Sequence, residues 1–272
     1  MKNKIESIVL RNIVKFAGIV TFLILIFIIF YILFKGIPYL RFDMFALNYN
    51  SNNVSMFPAI INTIILVLLT LLFSVPIGIF TAIYLVEYSS KKSNYVKIIR
   101  ITAQTLSAIP SIVYGLFGFL FFVINLKMSY SILSGSITLA IMILPIIIRT
   151  TEEALLSVPD FYREASYGLG ATKSRTIFKI VLPCAKVSII SGIILSIGRI
   201  VGETAALIYT AGTVSGVIKS ITDSGRTLSV HMYALLSEGL HMNEAYATAV
   251  ILLIVVLFIN IISLKIVNNF KE

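Results

Sequence analysis

The chain has 272 residues, of which 58% are hydrophobic and 12% are charged, and its mean hydropathy is +0.99. Soluble domains carry about 25% charged residues, so this composition excludes a soluble globular protein and predicts a multi-spanning membrane protein. The net charge of +10 does not indicate a nucleic-acid partner, because Lys and Arg lie between apolar runs rather than on one face.

Six apolar runs are long enough to cross a bilayer, which needs about 20 mostly apolar residues. They predict an all-α protein with transmembrane helices near residues 16–34, 59–85, 101–126, 128–148, 187–212 and 245–264. None of the runs alternates in polarity, which argues against β-barrel strands. Residues 1–35 share features of a signal peptide, but Lys35-Gly36-Ile37-Pro38 follows them instead of a cleavage site, so the first helix is expected to be retained.

The distribution of Lys and Arg predicts that both termini are cytoplasmic. With the N-terminus inside, basic residues concentrate in the segments that precede the first helix, join helices two and three, join helices four and five, and follow the last helix. These residues include Lys2, Lys4, Arg11, Lys15, Lys91, Lys92, Lys97, Arg100, Arg149, Arg163, Lys173, Arg175, Lys179, Lys186, Lys265 and Lys271.

The chain carries no recognisable metal or nucleotide motif. Its one cysteine, Cys184, cannot form an intramolecular disulfide, and His231 and His241 lack the spacing of metal ligands. Neither the HExxH motif nor the GxxxxGK[ST] motif occurs, so the sequence predicts neither a metal site nor an ATP site of its own.

The polar loop between Arg149 and Lys186 predicts two short helices joined by a turn. Asp160 after Pro159 is a plausible N-cap for a helix at 161–167, Gly168 and Gly170 can supply a turn with positive φ, and residues 172–182 predict a second helix that ends at Pro183. Such a knob on the membrane surface can bind another protein, although an ordinary amphipathic loop is the alternative interpretation.

Arg199 lies near the middle of the predicted helix 187–212, where a charged side chain costs about 2.5–3.5 kcal/mol. Glu203 follows one helical turn later, on the same face. Two interpretations remain open from the chemistry: a structural ion pair, or an anion site in which Glu203 holds the guanidinium of Arg199. Gly198 and Gly202 form a GxxxG pattern that predicts close helix packing.

The loop residues resemble a known signature. Glu164-Ala165-Ser166-Tyr167-Gly168-Leu169-Gly170, followed by Ile180-Val181-Leu182-Pro183, is similar to the coupling loop of ABC importer permeases of the type I fold. Ser166 departs from the usual second Ala. The resemblance implies that a partner ATPase binds this loop through Glu164, Ala165, Gly168, Gly170, Ile180, Leu182 and Pro183.

Three further stretches resemble the PstA family of phosphate-importer permeases: Gly198 to Ala205, Ser107 to Gly118, and Leu144 to Glu153. Ala206 departs from the family, which often has Pro there. The resemblance implies that Arg199, Glu203, Thr204 and Arg149 line a translocation path, although Arg149 also lies where a positive-inside anchor belongs. Pro110 and Pro145 permit kinks within helices three and four.

The family resemblance also implies an assembly in a bacterial cytoplasmic membrane. It comprises a PstC-like permease, a PstB-like ATPase dimer that holds the ATP and Mg, and a PstS-like phosphate-binding protein, while this chain is not an enzyme and binds no cofactor. Residues 1–57 would form the first helix and an external loop, and residues 58–267 the permease domain, with its coupling loop at 151–185.

Other functions remain as alternatives, and each predicts a different sequence feature. An importer of molybdate, sulfate or an amino acid would share the coupling loop but not the motif from Arg199 to Thr204. An ion-coupled secondary transporter would carry inverted repeats, which the sequence does not show. An intramembrane enzyme would need paired acids or metal-ligating His within the helices, where only Glu203 qualifies.

Overall fold

The computed structural model describes residues 2–89 and 93–269, and in this part of the chain every regular element is helical. The predicted all-α architecture is therefore confirmed. Lys91, Lys92 and Lys271, which contributed to the predicted orientation, lie outside the described residues. The α-helices are α1 (Lys2–Gly36), α2 (Phe57–Ile83), α3 (Asn94–Ser107), α4 (Ser111–Gly118), α5 (Ile132–Leu156), α6 (Asp160–Gly168), α7 (Lys173–Thr176), α8 (Leu182–Gly202), α9 (Ala205–Thr210), α10 (Leu228–Glu238) and α11 (Met242–Asn269).

Turns of π-helix lengthen several of these helices. Tyr84–Tyr88 extends α2, Phe119–Asn125 extends α4, and Ile177–Val181 joins α7 to α8. Two short 3₁₀-helices, Ile37–Tyr39 and Phe42–Phe45, follow α1. Helices α7 and α8 therefore form one continuous helical segment, which we call the lever helix (Lys173–Gly202).

Five continuous segments of the described chain are long and apolar enough to cross a membrane, and a sixth is bent. The five are Leu10–Tyr39, Phe57–Tyr88, Ile132–Leu156, Lys173–Gly202 and Met242–Ile262. The bent pair is Asn94–Ser107 with Ser111–Asn125, at 100° to one another. The helix predicted at 101–126 is therefore divided into two, at Pro110, where the sequence permitted a kink.

Pro110 accounts for this break physically. It lacks an N–H, and its ring disfavours the α-helical conformation of the residue before it. In the structure Pro110 is the residue that precedes α4, with an extended ψ of 141°. The hydroxyl of Tyr114 donates to the Leu106 carbonyl oxygen at 2.8 Å, which satisfies one acceptor that the end of α3 leaves open. Pro145, by contrast, lies inside the continuous helix α5.

Helix α5 is the centre of the bundle and packs against α2 on one side and α8 on another. Its side chains Leu139, Ile143 and Ile147 are fully buried in the main core. Two glycines permit the close approach, because a Cβ on Gly78 of α2 would contact Ile147 and one on Gly192 of α8 would contact Thr150. Membrane bundles depend on such packing, since lipid is as apolar as the core.

One buried amide fixes the segment between α9 and α10. Asn62 of α2 is fully buried, and its Nδ2 donates to the carbonyl oxygens of Gly216 at 2.8 Å and Arg226 at 3.3 Å. Its Oδ1 accepts from the backbone N–H of Ile218 at 3.2 Å. The amide thus uses both of its ends to hold this segment against α2.

A buried cation and a buried imidazole lie beside the same aromatic ring on this side of the bundle. The Arg226 guanidinium lies 4.5 Å from the ring centre of Tyr49, and the His231 ring meets that of Tyr49 edge-on at 6.1 Å. Burial, followed by the charge of Arg226, lowers the pKa of His231 to about 3, and the Val54 backbone opposes the shift only in part. His231 is therefore neutral at physiological pH.

Candidate functional site

Arg199 occupies the last turn of α8, not the middle of a longer helix. Helix α8 ends at Gly202, and Glu203 has extended backbone angles (φ −73°, ψ 129°) before α9 begins at Ala205. The predicted span 187–212 is therefore divided between α8 and α9 at Glu203. Glycine is a poor helix former, and the Glu203 carbonyl oxygen is held outside the helix by the Ser229 hydroxyl at 2.6 Å.

Glu203 is a structural residue of this break. Its side chain is largely buried, and its Oε1 accepts a hydrogen bond from the backbone N–H of Ala206 at 3.2 Å. That N–H is one of the free donors at the start of α9, so the carboxylate acts as a helix cap. A proline at position 206 would have no N–H, so this hydrogen bond to Glu203 could not form. The predicted ion pair with Arg199 does not occur in the structure.

The Arg199 side chain is exposed, and no Asp or Glu of residues 2–89 and 93–269 forms an ion pair with it. It lies close enough to Tyr114 to interact electrostatically with the phenol. A cation in the last turn of a helix is favoured by the helix dipole. The guanidinium therefore keeps its hydrogen-bond donors available to a ligand.

The face of α8 around Arg199 is open in the part of the chain that the structure describes. Leu195 is 65% exposed, and a Cβ on Gly198 or Gly202 would meet nothing within 4 Å. The GxxxG pattern therefore does not pack against another of the described helices, and its use at a seam between two subunits remains a prediction. Thr204 is half-buried beside this face, with its Oγ1 at 3.4 Å from the Gly202 carbonyl oxygen.

Arg149 lies apart from the other predicted path residues. It is exposed on α5, where its Nε donates to Glu153 Oε1 at 3.0 Å. It lines a cavity of about 350 Å³ between α3 and α5, together with Arg100, Gln104 and Glu152. Arg199, Glu203 and Thr204 do not line that cavity. Arg199, Glu203 and Thr204 thus lie together where α8 ends and α9 begins, and Arg149 lines a separate cavity.

The loop between α5 and α8 folds into a compact knob, made of α6, the turn 169–172 and α7. Helix α6 begins at Asp160, one residue before the predicted start, and its N-cap is Pro159 rather than the predicted Asp160, whereas Gly170 supplies the predicted positive φ, at 79°. Gly168 is the last residue of α6 and does not share that conformation. The Thr172 hydroxyl accepts from the Arg175 backbone N–H and caps α7.

The sequence predicted that the second helix of the knob ends at Pro183, but in the structure the helix continues beyond this residue. It runs through the π-helical turn into α8, and Pro183 lies in the first turn of α8. Pro183 has no N–H to donate to the carbonyl of Lys179, and the wider π turn directly precedes it. Leu182 and Ile180 are half-buried, while Pro183 and Cys184 are exposed.

The predicted coupling residues Glu164, Ala165, Gly168 and Gly170 all lie on the exposed surface of the knob. Large apolar side chains surround them: Leu169 is 90% exposed, with Phe161, Tyr162, Tyr167 and Phe178 also exposed. Such a patch on a polar loop is typical of a protein–protein contact.

Ser166 points inward instead and joins the two helices of the knob. Its side chain is buried, and its hydroxyl shares a hydrogen bond of 2.8 Å with the buried hydroxyl of Thr176. The departure from Ala in the signature therefore has a specific polar partner. No sequence reasoning identified this pair, since the two residues lie in different helices.

Arg163 is a functional candidate that the sequence analysis treated only as a basic loop residue. Its side chain is 12% exposed, and its guanidinium donates twice to Glu87 Oε1, at 2.8 and 3.0 Å. Glu87 is 6% exposed and lies in the π-helical end of α2. In the sequence, Glu87 stands as an acid at the end of a long apolar run and Arg163 directly precedes the signature at Glu164, and these positions were the indication of the pair.

Comparison with known proteins gives matches over most of the chain. The family described as binding-protein-dependent transport system inner membrane component matches residues 74–271. The probable ABC transporter permease protein YqgI of Bacillus subtilis is 31% identical, covering 80% of this chain and 79% of that protein. The phosphate transport system permease protein PstA of Haemophilus influenzae is 32% identical, covering 87% of this chain and 85% of that protein.

Some relatives are much longer than this chain. The match covers only 33% of the PstA homolog of Mycoplasma pneumoniae, at 35% identity over 75% of this chain. Among solved structures, a chain of a bacterial alginate ABC transporter superposes with a TM-score of 0.68. It is 22% identical, and the alignment covers 94% of this chain and 96% of that one, which indicates a shared fold.

Proposed function

Because the chain belongs to the family of binding-protein-dependent transport system inner membrane components, we propose that it is the permease subunit of an ATP-driven phosphate importer. The support comes from relatives that are phosphate transport permeases and from the type I importer fold of its structural neighbours. The chain is a multi-pass protein of the bacterial cytoplasmic membrane. The predicted orientation puts the knob and both termini on the cytoplasmic side.

The observation that carries the proposal is the lever helix, Lys173–Gly202. One of its ends belongs to the knob, and its other end holds Arg199, which is exposed and has no acidic partner within residues 2–89 and 93–269. A helix of this length spans about 45 Å at 1.5 Å per residue. A displacement of the knob is therefore delivered directly to the residue that is best suited to contact the cargo.

Arg199 fits the chemistry of phosphate. Its planar guanidinium can donate two parallel hydrogen bonds to an oxyanion, and its charge persists at all physiological pH values. A cation within an apolar helix needs water, an anion or a partner's group beside it, because burial in lipid is costly. Contact through one arginine is weak enough to allow release on the other side.

Membership of this family implies partner proteins, and we propose which subunits they are. ABC importer permeases act with an ATPase and a substrate-binding protein, and we assign these roles to a PstB-like dimer and a PstS-like protein. A PstC-like permease would cover the open face of α8 around Gly198 and Gly202. ATP binding to the ATPase would displace the knob, so that the two permeases alternate between outward- and inward-facing states.

Other cargoes are tested by competition. ATP-dependent uptake of labelled phosphate is measured in vesicles that carry the full assembly, with arsenate and sulfate as competitors. We expect arsenate to compete and sulfate not to compete, and Arg199→Ala to abolish uptake without loss of assembly. Molybdate, sulfate or an amino acid would be the cargo if a fully assembled complex took up that compound and not phosphate.

A matched control comes from an exposed arginine away from the path. Arg41 pairs with Glu244 at 3.1 Å and is half exposed. Arg41→Ala removes the same charge and should leave uptake unchanged. If Arg199→Ala behaves like Arg41→Ala, Arg199 does not contact the cargo.

A further inference from the structure

Arg163 ties the knob to two transmembrane helices at once. Besides its two bonds to Glu87, it donates to the Leu155 carbonyl oxygen at 2.9 Å and to the Val158 carbonyl oxygen at 2.8 Å. It also donates to Asp160 Oδ1 at 3.2 Å. These bonds occupy the guanidinium almost completely, although it lies in a loop close to the protein surface.

The bonds fall into two classes with different consequences. Those to Leu155, Val158 and Asp160 stay within the end of α5 and the start of α6, so they fix the local geometry of the knob. The bond to Glu87 crosses to another helix, 76 residues away in sequence. A side chain that only fixed the local fold of the knob would not need the bond to Glu87.

The end of α2 also contacts the second helix of the knob. The Tyr88 hydroxyl lies 3.3 Å from the Ser174 hydroxyl, and the Lys173 ammonium lies 4.9 Å from the centre of the Tyr88 ring. The π-helical turn Tyr84–Tyr88 therefore contacts α6 through Glu87 and α7 through Tyr88. Single π turns within α-helices are frequent at functional sites.

The charges of Arg163 and Glu87 make this link stiff. Both side chains are nearly buried: the removal of Arg163 takes the ion-pair partner from the desolvated Glu87 carboxylate, and the removal of Glu87 leaves Arg163 with the exposed Asp160 as its acidic partner among the described residues. Beneath them, Ala82 and Ile83 of α2 pack with Leu155 and Val181 in one apolar cluster. Helix α2 then continues along α5 into the main core.

We infer that Arg163 is a positioning residue for energy coupling, which passes displacement of the knob to α2 through Glu87. This inference rests on the proposed function, in which an ATPase displaces the knob. The lever helix moves the end that holds Arg199, and the Arg163–Glu87 link moves α2 with it. The two helices on either side of α5 then respond to one input.

The first test measures uptake per ATP hydrolysed in the complete assembly. Glu87→Gln keeps the shape and an acceptor oxygen but removes the charge, and Arg163→Lys keeps the charge but loses most donors. We expect either change to lower the uptake-to-hydrolysis ratio about tenfold, with ATP hydrolysis retained. The double variant should be no worse than the single ones, because both changes break one link. Arg41→Gln, which removes the exposed partner of Glu244, is the control.

The second test does not depend on the cargo. In a Cys184→Ser background, spin labels at Ile77 of α2 and Ile254 of α11, both about half exposed, report the distance between these helices. We expect ATP with vanadate to change that distance in the assembly and Glu87→Gln to suppress the change. Movement of α2 that is unaffected by Glu87→Gln and by Arg163→Lys would overturn the inference.

The two tests also separate this inference from the proposed function. An absence of phosphate uptake in the unmodified assembly, together with ATP-driven movement of α2 that needs Glu87, would refute the cargo and keep the coupling role. A variant that misfolds is recognised by thermal unfolding. In that case Glu87→Cys with Arg163→Cys, joined by a short thiol cross-linker, should restore coupling, and failure of the joined protein to couple would contradict the inference.

Discussion

The carboxylate of Glu203 caps the backbone N–H of Ala206 at 3.2 Å and forms no ion pair with Arg199. The two charges of the motif therefore have separate roles. Glu203 holds the break between α8 and α9, and Arg199 is left without a counter-charge from the described chain. The structure thus favours an available arginine over a neutralised pair, and the two residues can be varied independently.

Glu203→Gln should be nearly neutral, and Glu203→Ala should destabilise the protein. The amide oxygen of Gln can still accept from Ala206, whereas Ala leaves this N–H without its cap. The loss is about 1 kcal/mol, as for other helix caps. Thermal unfolding of the purified protein checks the order of the two variants. Equal destabilisation by Gln and Ala would show that the charge of Glu203, rather than its cap, matters.

Arg199→Lys should lower phosphate uptake while leaving thermal stability unchanged. The ammonium keeps the charge but cannot donate two parallel bonds to one oxyanion, and the exposed arginine forms no ion pair with the described residues that the substitution would break. We expect a loss of about tenfold in uptake at low phosphate concentration, equivalent to about 1.4 kcal/mol of binding. Uptake assays at several phosphate concentrations measure this loss, and an unchanged concentration dependence would contradict it.

Ser166→Ala should cost at most about 1 kcal/mol and preserve coupling. The Thr176 hydroxyl keeps its bond to the Thr172 carbonyl oxygen at 3.2 Å, so no buried donor is left unpaired. Ser166→Leu, in contrast, should disrupt the knob, since the position is buried against α7. Binding of the ATPase to detergent-solubilised protein distinguishes the two variants. If Ser166→Leu binds as well as the unmodified protein, the buried position does not shape the knob.

Gly115→Ala should be strongly destabilising, and Gly198→Ala should not. A Cβ on Gly115 would lie 2.7 Å from the Cα of Ala206, a backbone atom that cannot move cheaply. Overpacking of this kind costs about 1–3 kcal/mol. Gly198 has open space, so Ala there is tolerated in the single chain. Thermal unfolding of each purified variant measures the difference, and similar midpoints would argue against the close approach of α4 to α9.

Stability should fall as the pH drops from about 6.5 toward 3, because of His231. Its folded pKa is lowered to about 3, so in this range the unfolded chain binds a proton that the folded chain does not. At pH 5 the cost is about 2 kcal/mol, at 1.36 kcal/mol per unit. His231→Phe should flatten this part of the pH profile of thermal unfolding. His241→Gln serves as the control, and a slope that persists in His231→Phe would contradict the assignment.

The membrane spans could be predicted because length and hydropathy decide them locally. The breaks within spans were harder to predict: Pro110 indicated that a kink was permitted there, but hydropathy did not indicate that α8 ends before Glu203. What ends α8 is a contact made at a distance, between the Ser229 hydroxyl and the Glu203 carbonyl oxygen. Hydropathy does not record such contacts, and the predicted pair of Arg199 and Glu203 failed with the helix that it assumed.

In the knob, too, local features could be predicted from the sequence and contacts between separate helices could not. The turn at Gly170 follows from local chemistry and was predicted correctly, and the start of α6 was predicted to within one residue, although Pro159 takes the N-cap position predicted for Asp160. The bonds of Arg163 to Glu87 and of Ser166 to Thr176 join separate helices, so a single sequence does not indicate them. The features that attach the knob to the bundle were therefore the ones that sequence reasoning missed.

The exposed Cys184 directly follows Pro183, where the knob gives way to the membrane-spanning part of the lever helix. It is the one thiol of the sequence, so a maleimide fluorophore would label the unmodified chain at a single, known position. The chain thus carries its own attachment point for following, in real time, how the base of this helix responds to each nucleotide state.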